Sequence, residues 1–459
     1  MVHTDLDANE EFQLISEELS RIFCSNYLDE LARKELFVQR SAKLKPKDFV
    51  SLCVFWNKDS GTKSLAQLCG ILDCNRKVSL TTEGLNQRFN KAGVRLLKGV
   101  FHHLMEKQFL SHPIPNFHTI DFYRIRILDS TAFELPCQYL ENYKGIHQSG
   151  VKIQLEYELL KGEFLHMEIQ NGRDSDVTFG TSLLPTVQAN DLLIRDLGYF
   201  TLDELAKINE RDAYYITRLK PKLLLFTREN GEYKRIDLHE IADQMEIGEG
   251  KEIHHIYVGK HKQHIPRLIL YRLTNEQTEE RMKRRKKQEK KKGVNYSHHI
   301  KKLTKLNIFL TNIPYQCVPM EGIQPFYSLR WQIERLFKTW KSLFKIHKVK
   351  KMKMERFECH LYGTLISLLL TSTLAFQMRE SLFRKKKKEV SEYKAISIVL
   401  EYRQKLQEVL IENKKSLILL LKRMKVQIEK NGKKSHRYNR KTVFDILQVT
   451  YERTIQAAA

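Results

Sequence analysis

The chain has 459 residues, and 79 Lys plus Arg against 55 Asp plus Glu leave a formal charge of +24. Single cores stop growing at roughly 250 to 300 residues, so several domains are expected. A hydrophobic share of 42% excludes a wholly disordered basic protein, and the surplus charge on a folded body calls for polyanion partners, either nucleic acid or an acidic membrane face.

The N-terminus (Met1, Val2, His3, Thr4, Asp5, Leu6, Asp7) has neither the basic nor the apolar region of a secretory leader. The apolar runs Leu361 to Phe376 and Leu417 to Leu421 fall short of the roughly 20 residues a bilayer span needs, so a cytoplasmic protein is expected. Seven cysteines without a C-x-x-C pair read as reduced packing residues.

From residue 11 to residue 110 apolar residues recur at helical spacing, in Phe12, Leu14, Ile15, Leu19, Ile22 and again in Leu85, Phe89, Leu96, Leu97, Val100. This predicts a helical first domain over 1–115. Within it, Leu65 to Leu72 and Leu85 to Ala92 are two helical patterns around Asp73 to Thr82. The second carries Asn86, Gln87, Arg88, Asn90 and Lys91, whose side chains suit base edges in a major groove. The pair reads either as a helix-turn-helix or as the polar face of an ordinary helical domain.

From Asp121 the period shortens to strand-like runs: Tyr123 to Leu128, Lys152 to Leu160, Phe164 to Gln170, Leu192 to Ile194 and Ala213 to Arg218. Lys161, Gly162 and Glu163 read as a hairpin turn. Thr201 to Glu204 fits a capping box, which starts a helix just after Tyr199 and Phe200. Strands mixed with helices predict an α/β core whose first part covers 116–219.

Residues 220–320 add further strand patterns at Glu252 to Val258, Arg267 to Leu273 and Asn307 to Thr311, and read as a β-rich insertion. Inside it, Arg281 to Lys292 holds nine basic residues in twelve, and further on Arg384 to Lys388 is a run of five. Such runs are read as solvated and mobile, or as phosphate contacts, with their position relative to the catalytic face deciding. His254, His255, His261 and His264, with His298, His299 and Cys317 downstream, lack a second pair at finger-like spacing and read as polar strand and loop residues rather than a zinc site. The core resumes over 321–380, and 381–459 is a helical C-terminal region with apolar stripes fit for dimerisation.

The segment Tyr327 to Lys341 carries the most information. As one continuous helix at about 100° per residue, it would put Tyr327, Arg330, Glu334 and Lys341 in one stripe, with Trp331 beside it and Lys338 one turn beyond Glu334. Leu329, Ile333, Leu336 and Trp340 would fill the opposite face. Upstream, Asp129 follows Ile125, Arg126, Ile127 and Leu128, and Asp196 ends the run Leu192, Leu193, Ile194. Carboxylates at strand ends commonly stand at an open sheet edge where ligands bind. Asp129, Asp196 and Glu334 together would supply hard oxygen ligands for a pair of divalent ions.

The spacing Tyr327, Arg330, Glu334, Lys341 resembles the Y-R-E-K signature of a family of bacterial insertion-sequence DDE transposases. Leu128 to Thr131 and Asp196 to Phe200 resemble that family's two aspartate motifs. The similarity covers roughly residues 120 to 345. It implies an RNase H-like catalytic core with a β-rich insertion between the second Asp and the Glu, flanked by helical N- and C-terminal regions. It further implies cut-and-paste movement, in which paired molecules bind terminal inverted repeats, cleave the DNA and join 3′-hydroxyls to target DNA.

On that resemblance Asp129, Asp196 and Glu334 hold two Mg²⁺ ions, for which Mn²⁺ can substitute. Tyr327, Arg330 and Lys341 hold terminal phosphates beside Lys338 and Trp331. The DNA-facing set extends to Asn86, Gln87, Arg88 and Lys91. Hairpin-forming relatives stack a tryptophan from the insertion on a flipped base, whereas the tryptophans here are Trp56, Trp331 and Trp340. The partners implied are double-stranded DNA and a second copy of the chain, in a cytoplasm where the bound protein joins the nucleoid. The competing readings are a nuclease of the same core that cuts without joining, and a DNA-binding protein that has lost catalysis.

Overall fold

The computed structural model describes residues 8–40, 43–56, 60–106, 122–293, 295, 297–386, 388–412, 416–434, 443 and 445–447. The leader reading of Met1 to Asp7, the end of the first helical stretch (107–110), Asp121 and Lys387 lie outside the described residues.

Ten strands form one sheet: β1 (Arg124–Glu134), β2 (Gly150–Glu158), β3 (Glu163–Asn171), β4 (Asp191–Arg195), β5 (Tyr214–Arg218), β6 (Leu225–Glu229), β7 (Glu232–Arg235), β8 (Gly250–Val258), β9 (Gln263–Arg272) and β10 (Leu306–Thr311). The order is β3-β2-β1-β4-β5-β10-β9-β8-β6-β7. β1, β4 and β5 run parallel, and β2 is antiparallel to both of its neighbours. This first half, β3-β2-β1-β4-β5, is an RNase H-like core. β10 then pairs antiparallel with β5 and β9, so the strands that follow the core extend its sheet.

The alternation of β1 explains its two faces. Ile125 and Ile127 enter the large core shared with the helices, while Leu128 turns to a small cluster with Phe179, Leu183 and Tyr199. Arg126, on the same side as Leu128, is fully buried and bonds Glu156 on β2 at 2.6 Å and Asp191 on β4 at 3.0 Å. Replacing one member of such a network strands its partner's charge, so the network enforces the β2-β1-β4 register. That register decides which residues of β1 and β4 stand side by side.

The hairpin turn falls as expected, with Gly162 at φ +71 between β2 and β3. Thr201 caps the helix Leu202–Asn209 by accepting from the Glu204 amide. The reciprocal half of a capping box is replaced, because the Glu204 carboxylate pairs instead with Arg195.

Helices from both flanks pack on one another. The helix Met354–Lys386 lies against Lys91–Glu106, Pro46–Val54 and Glu392–Glu401, and the first helix, Ala8–Phe23, meets Leu417–Asn431. Arg76 ties the two flanks, reaching Asp48 at 2.7 Å and also Glu412. The apolar run Leu361 to Phe376, expected to be short, is carried on one long helix whose stretch Met354–Phe383 is apolar enough to cross a bilayer by length and composition. It is 78% buried over its most apolar window, as a core helix is.

Two sequence expectations need correction. Arg281 to Lys292 is not a mobile tract: it belongs to the helix Asn275–Lys292, capped by a Thr274 and Gln277 box and closed by Gly293 in the left-handed region. Leu85 to Ala92 is not one helix either. Thr82–Arg88 ends at Phe89, and Asn90 caps the next helix by accepting from the Gly93 amide at 3.0 Å.

Candidate active site

β1 and β4 are in register with Leu128 opposite Arg195, so the residues that follow, Asp129 and Asp196, stand side by side. β1 runs on to Glu134, which places Asp129 in mid-strand rather than at a strand end. By the period of two it shares the face of Ile127, toward the helices.

Glu334 comes from the helix Trp331–Thr339, which lies against β1. Ile333, Leu336 and Phe337 are its buried anchors, so Glu334 and Lys338 turn into an open cleft lined by Asp129, Ser130, Thr131, Asp196, Arg330, Phe337 and Lys341. Three acids from distant parts of the chain thus share one cleft.

At its centre is Arg330. Its guanidinium lies 2.8 Å from Asp129 Oδ2, 2.7 Å from Glu334 Oε1 and 3.9 Å from Asp196 Oδ1. Its Nε has no hydrogen-bond partner, so the fit is incomplete. The Asp129 pKa is raised to about 6, chiefly by burial, with the Ser130 amide and Arg330 opposing the rise and Asp196 and Glu334 adding to it. Burial would lower the Arg330 pKa, but Tyr327, Asp196, Asp129 and Glu334 outweigh it and raise it.

The donor chemistry fits divalent cations: three carboxylates converge on one cationic centre. In this conformation no three such side chains among the described residues close tightly enough to share one ion, because the guanidinium spaces them apart. Asp129, Asp196 and Glu334 are the residues that would hold a divalent cation.

The segment Tyr327 to Lys341 is not the single helix assumed from its spacing. The helix Met320–Ser328 ends before Leu329 and Arg330. Contacts from Leu329 N to Phe326 O and from Gln332 N to Leu329 O tighten the chain there before the next helix begins. The wheel loses phase at that step. Tyr327 is therefore buried beside Phe309, with ring centroids 5.2 Å apart, instead of lining the cleft. Burial raises its pKa, and the nearby Arg330 and Arg218 offset part of that rise.

A π-helical turn over Trp340–Phe344 follows, with Trp340 fully buried. Lys341 reaches the Ala132 carbonyl at 3.3 Å from this turn, and burial lowers its pKa. Trp331 is 51% exposed, and its ring lies 5.2 Å from the Arg330 guanidinium carbon.

Asn86, Gln87, Arg88 and Lys91 belong to the N-terminal helices and do not line this cleft. Gln87 and Lys91 are exposed, and Asn86 and Arg88 half-buried. The sequence reading missed Asp176, at the N-terminus of its helix. It accepts from Ser130 Oγ at 3.5 Å, Lys152 Nζ at 2.9 Å and Gln154 Nε2 at 2.9 Å. Its flanks, Asp174 and Ser175, give only the signal of a turn and a cap.

On the neighbouring strands β8 and β9, His255 Nδ1 and His264 Nε2 approach to 3.2 Å with stacked rings. Among the described residues no metal-binding group includes them.

Residues 120–370 match the family model described as Transposase DDE domain. The chain is 41% identical over 98% of its length to the transposase for insertion sequence element IS231E of Bacillus thuringiensis subsp. finitimus, of which 98% is covered. It is 32% identical over 96% of its length to the transposase for insertion sequence element IS1151 of Clostridium perfringens, of which 97% is covered. A piggyBac transposase synaptic complex with hairpin DNA overlays with a TM-score of 0.45 at 9% identity, over 93% of this chain and 87% of that one, too slight a likeness to bear weight.

Proposed function

This chain belongs to the DDE transposases of bacterial insertion sequences, and from that premise we propose that it binds the inverted repeats of its own element, cleaves the DNA there and joins the freed 3′-hydroxyls to target DNA. The observation that carries the reading is the convergence of Asp129, Asp196 and Glu334 on a single cation.

DDE transposases use divalent metal ions. We assign Asp129, Asp196 and Glu334 to a pair of Mg²⁺ ions, for which Mn²⁺ can substitute. The chemistry such ions supply when bound is the activation of an attacking oxygen and the stabilisation of a leaving one at phosphorus.

The side chains do the rest. Lys338 and Lys341, in the cleft with the acids, bind phosphate as point charges, and Arg330 offers a planar fork to the same groups once it leaves the carboxylates. Tyr327 stands behind Arg330 and positions it. Trp331 presents an exposed ring at the edge of the site, on which an unpaired base can stack. Asn86, Gln87, Arg88 and Lys91 contact DNA away from the cleft. Two copies of the chain pair the two ends of the element, in the cytoplasm at the nucleoid.

The test is to incubate purified protein with duplexes bearing the ends of its element, Mg²⁺ and a target plasmid. Nicks at the ends with joined products are expected. Nicks without joining would mean a nuclease, and neither product would remove the reading.

A further inference from the structure

The helix Asn275–Lys292 has 18 residues and, at 1.5 Å per residue, is about 27 Å long. Its acids Glu276, Glu279 and Glu280 occupy the first turns, and from Arg281 onward basic residues dominate. The bland reading is a solvated helix with charges matched to its dipole, but dipole matching accounts only for the last turn. Here the cations span about three turns. Lys283, Lys286, Lys287 and Lys290 are exposed, and among the described residues none has an ion-pair partner. The other basic run is used differently, since Lys386 and Lys388 both bond Glu429, at 2.8 and 2.6 Å.

The helix is also fixed in place relative to the cleft. Arg281 donates to Asn307 Oδ1 at 2.5 Å and to the Leu306 carbonyl at 3.3 Å, and Arg285 donates to the Ile300 carbonyl at 2.7 Å. Asn307 in turn donates to Gln324 at 2.9 Å, one turn before Tyr327 on the helix that leads into Arg330. Arg218, on the neighbouring strand β5, influences both Tyr327 and Arg281. The Arg281 pKa is lowered to about 10, by burial first and then by the charges of Arg218, Arg285 and Arg284. The hydrogen-bonded path Arg281, Asn307, Gln324 therefore ties the basic helix to the helix that leads into Arg330.

We propose that the helix Asn275–Lys292 is a rail for the phosphate backbone of duplex DNA, anchored beside the candidate active site through Arg281, Asn307 and Gln324. This rests on the transposase reading and adds a second contact surface to it. Lysines at 283, 286, 287 and 290 follow one another at helical spacing along a straight rod, which suits contact with a backbone rather than with base edges. The rail therefore adds affinity without sequence preference.

The experiment uses the full chain and a labelled duplex of random sequence, with binding measured by fluorescence anisotropy over a series of salt concentrations. A variant with Lys283→Gln, Lys286→Gln, Lys287→Gln and Lys290→Gln keeps good helix formers on exposed positions, and circular dichroism checks its fold. The slope of log affinity against log salt is expected to become shallower by about 3 to 4, since each phosphate contact contributes roughly 0.9. A control variant loses the same charge at exposed Lys405, Lys422, Arg423 and Lys430, and its slope is expected to stay near that of the parent. A four-lysine variant with the parental slope, or a control that flattens it equally, overturns the rail. Failure of the parent chain to bind DNA at all would instead sink the transposase reading.

Discussion

Arg330 holds Asp129 by a contact of 2.8 Å from inside the space that the three carboxylates enclose. A guanidinium tethered there acts as a built-in counter-ion. Its charge opposes the rise that burial imposes on the Asp129 pKa, and it stands in the space the carboxylates share. Phosphate is a better geometric match for its fork than three carboxylates that leave its Nε unbonded.

Removing one acid while keeping its shape tests the assignment directly. Asp129→Asn or Glu334→Gln is expected to lower end cleavage in Mg²⁺ by at least about 1,000-fold, roughly 4 kcal/mol of barrier, while affinity for end DNA stays within about two-fold of the parent because DNA is gripped elsewhere. Cleavage is read on denaturing gels and binding by mobility shift. Parental cutting by either variant would show that the acids have another role.

Arg330→Gln removes the cation that bonds Asp129 and Glu334 directly. The expected result is a loss of about 1 to 3 kcal/mol in stability, at the low end of the cost of unpairing a buried charge because the carboxylates are partly open to water. Mn²⁺ should then raise the melting temperature of the variant more than that of the parent, since the metal no longer competes with a guanidinium. Equal stabilisation of both proteins by Mn²⁺ would show that Arg330 does not guard the site.

Much of this arrangement was legible in the sequence, and the gaps have physical causes. β1 to β5 and β8 to β10 declare themselves through apolar runs, because each packs at least one face in a core. β7 does not, because Glu232, Tyr233, Lys234 and Arg235 are all exposed at the sheet edge, and β6 beside it buries only Leu225, so no alternation marks them. The basic helix could have been read from its capping box at Thr274 and Gln277, but its charge density suggested a mobile tract.

In the candidate site, residue spacing selected Asp129, Asp196, Arg330, Glu334, Lys338 and Lys341, all of which meet in the cleft. It misplaced Tyr327, because a helical wheel assumes constant phase and the tightening at Leu329 and Arg330 breaks it. Arg218 and Asp176 were invisible because they join the neighbourhood only through tertiary packing.

The hairpin at Gly162 offers a test of how the sheet meets the helical flank. Its φ of +71 belongs to the left-handed region, and an added Cβ would lie 2.1 Å from the Phe376 ring of the long helix. Gly162→Ala is therefore expected to cost about 2 to 4 kcal/mol, combining backbone strain of roughly 1 to 2 with overpacking of roughly 1 to 3. If the overlap matters, Gly162→Ala combined with Phe376→Ala will lose less stability than the two single changes added together. Strict additivity in thermal melts would mean that the turn does not press on the helix.

His360 makes the junction of the two helical flanks sensitive to acid. It is 4% exposed on the long helix, its ring tilted against that of Phe89 with centroids 5.3 Å apart, and its Nε2 accepts from Arg356 at 3.3 Å. Burial, then the Arg356 charge, push its pKa down to about 3 from 6.5. The unfolded chain therefore takes up a proton at a pH where the folded one does not. Stability from the neutral ring is fully present above 6.5 and is lost as pH falls from there toward 3. Each unit in that window is worth about 1.4 kcal/mol, so roughly 2 kcal/mol should be gone by about pH 5. His360→Asn cannot titrate there. Whatever its stability at pH 7.5, its melting temperature should fall less between about pH 7.5 and 5 than that of the parent. Parallel declines in the two proteins would assign the acid sensitivity to other groups.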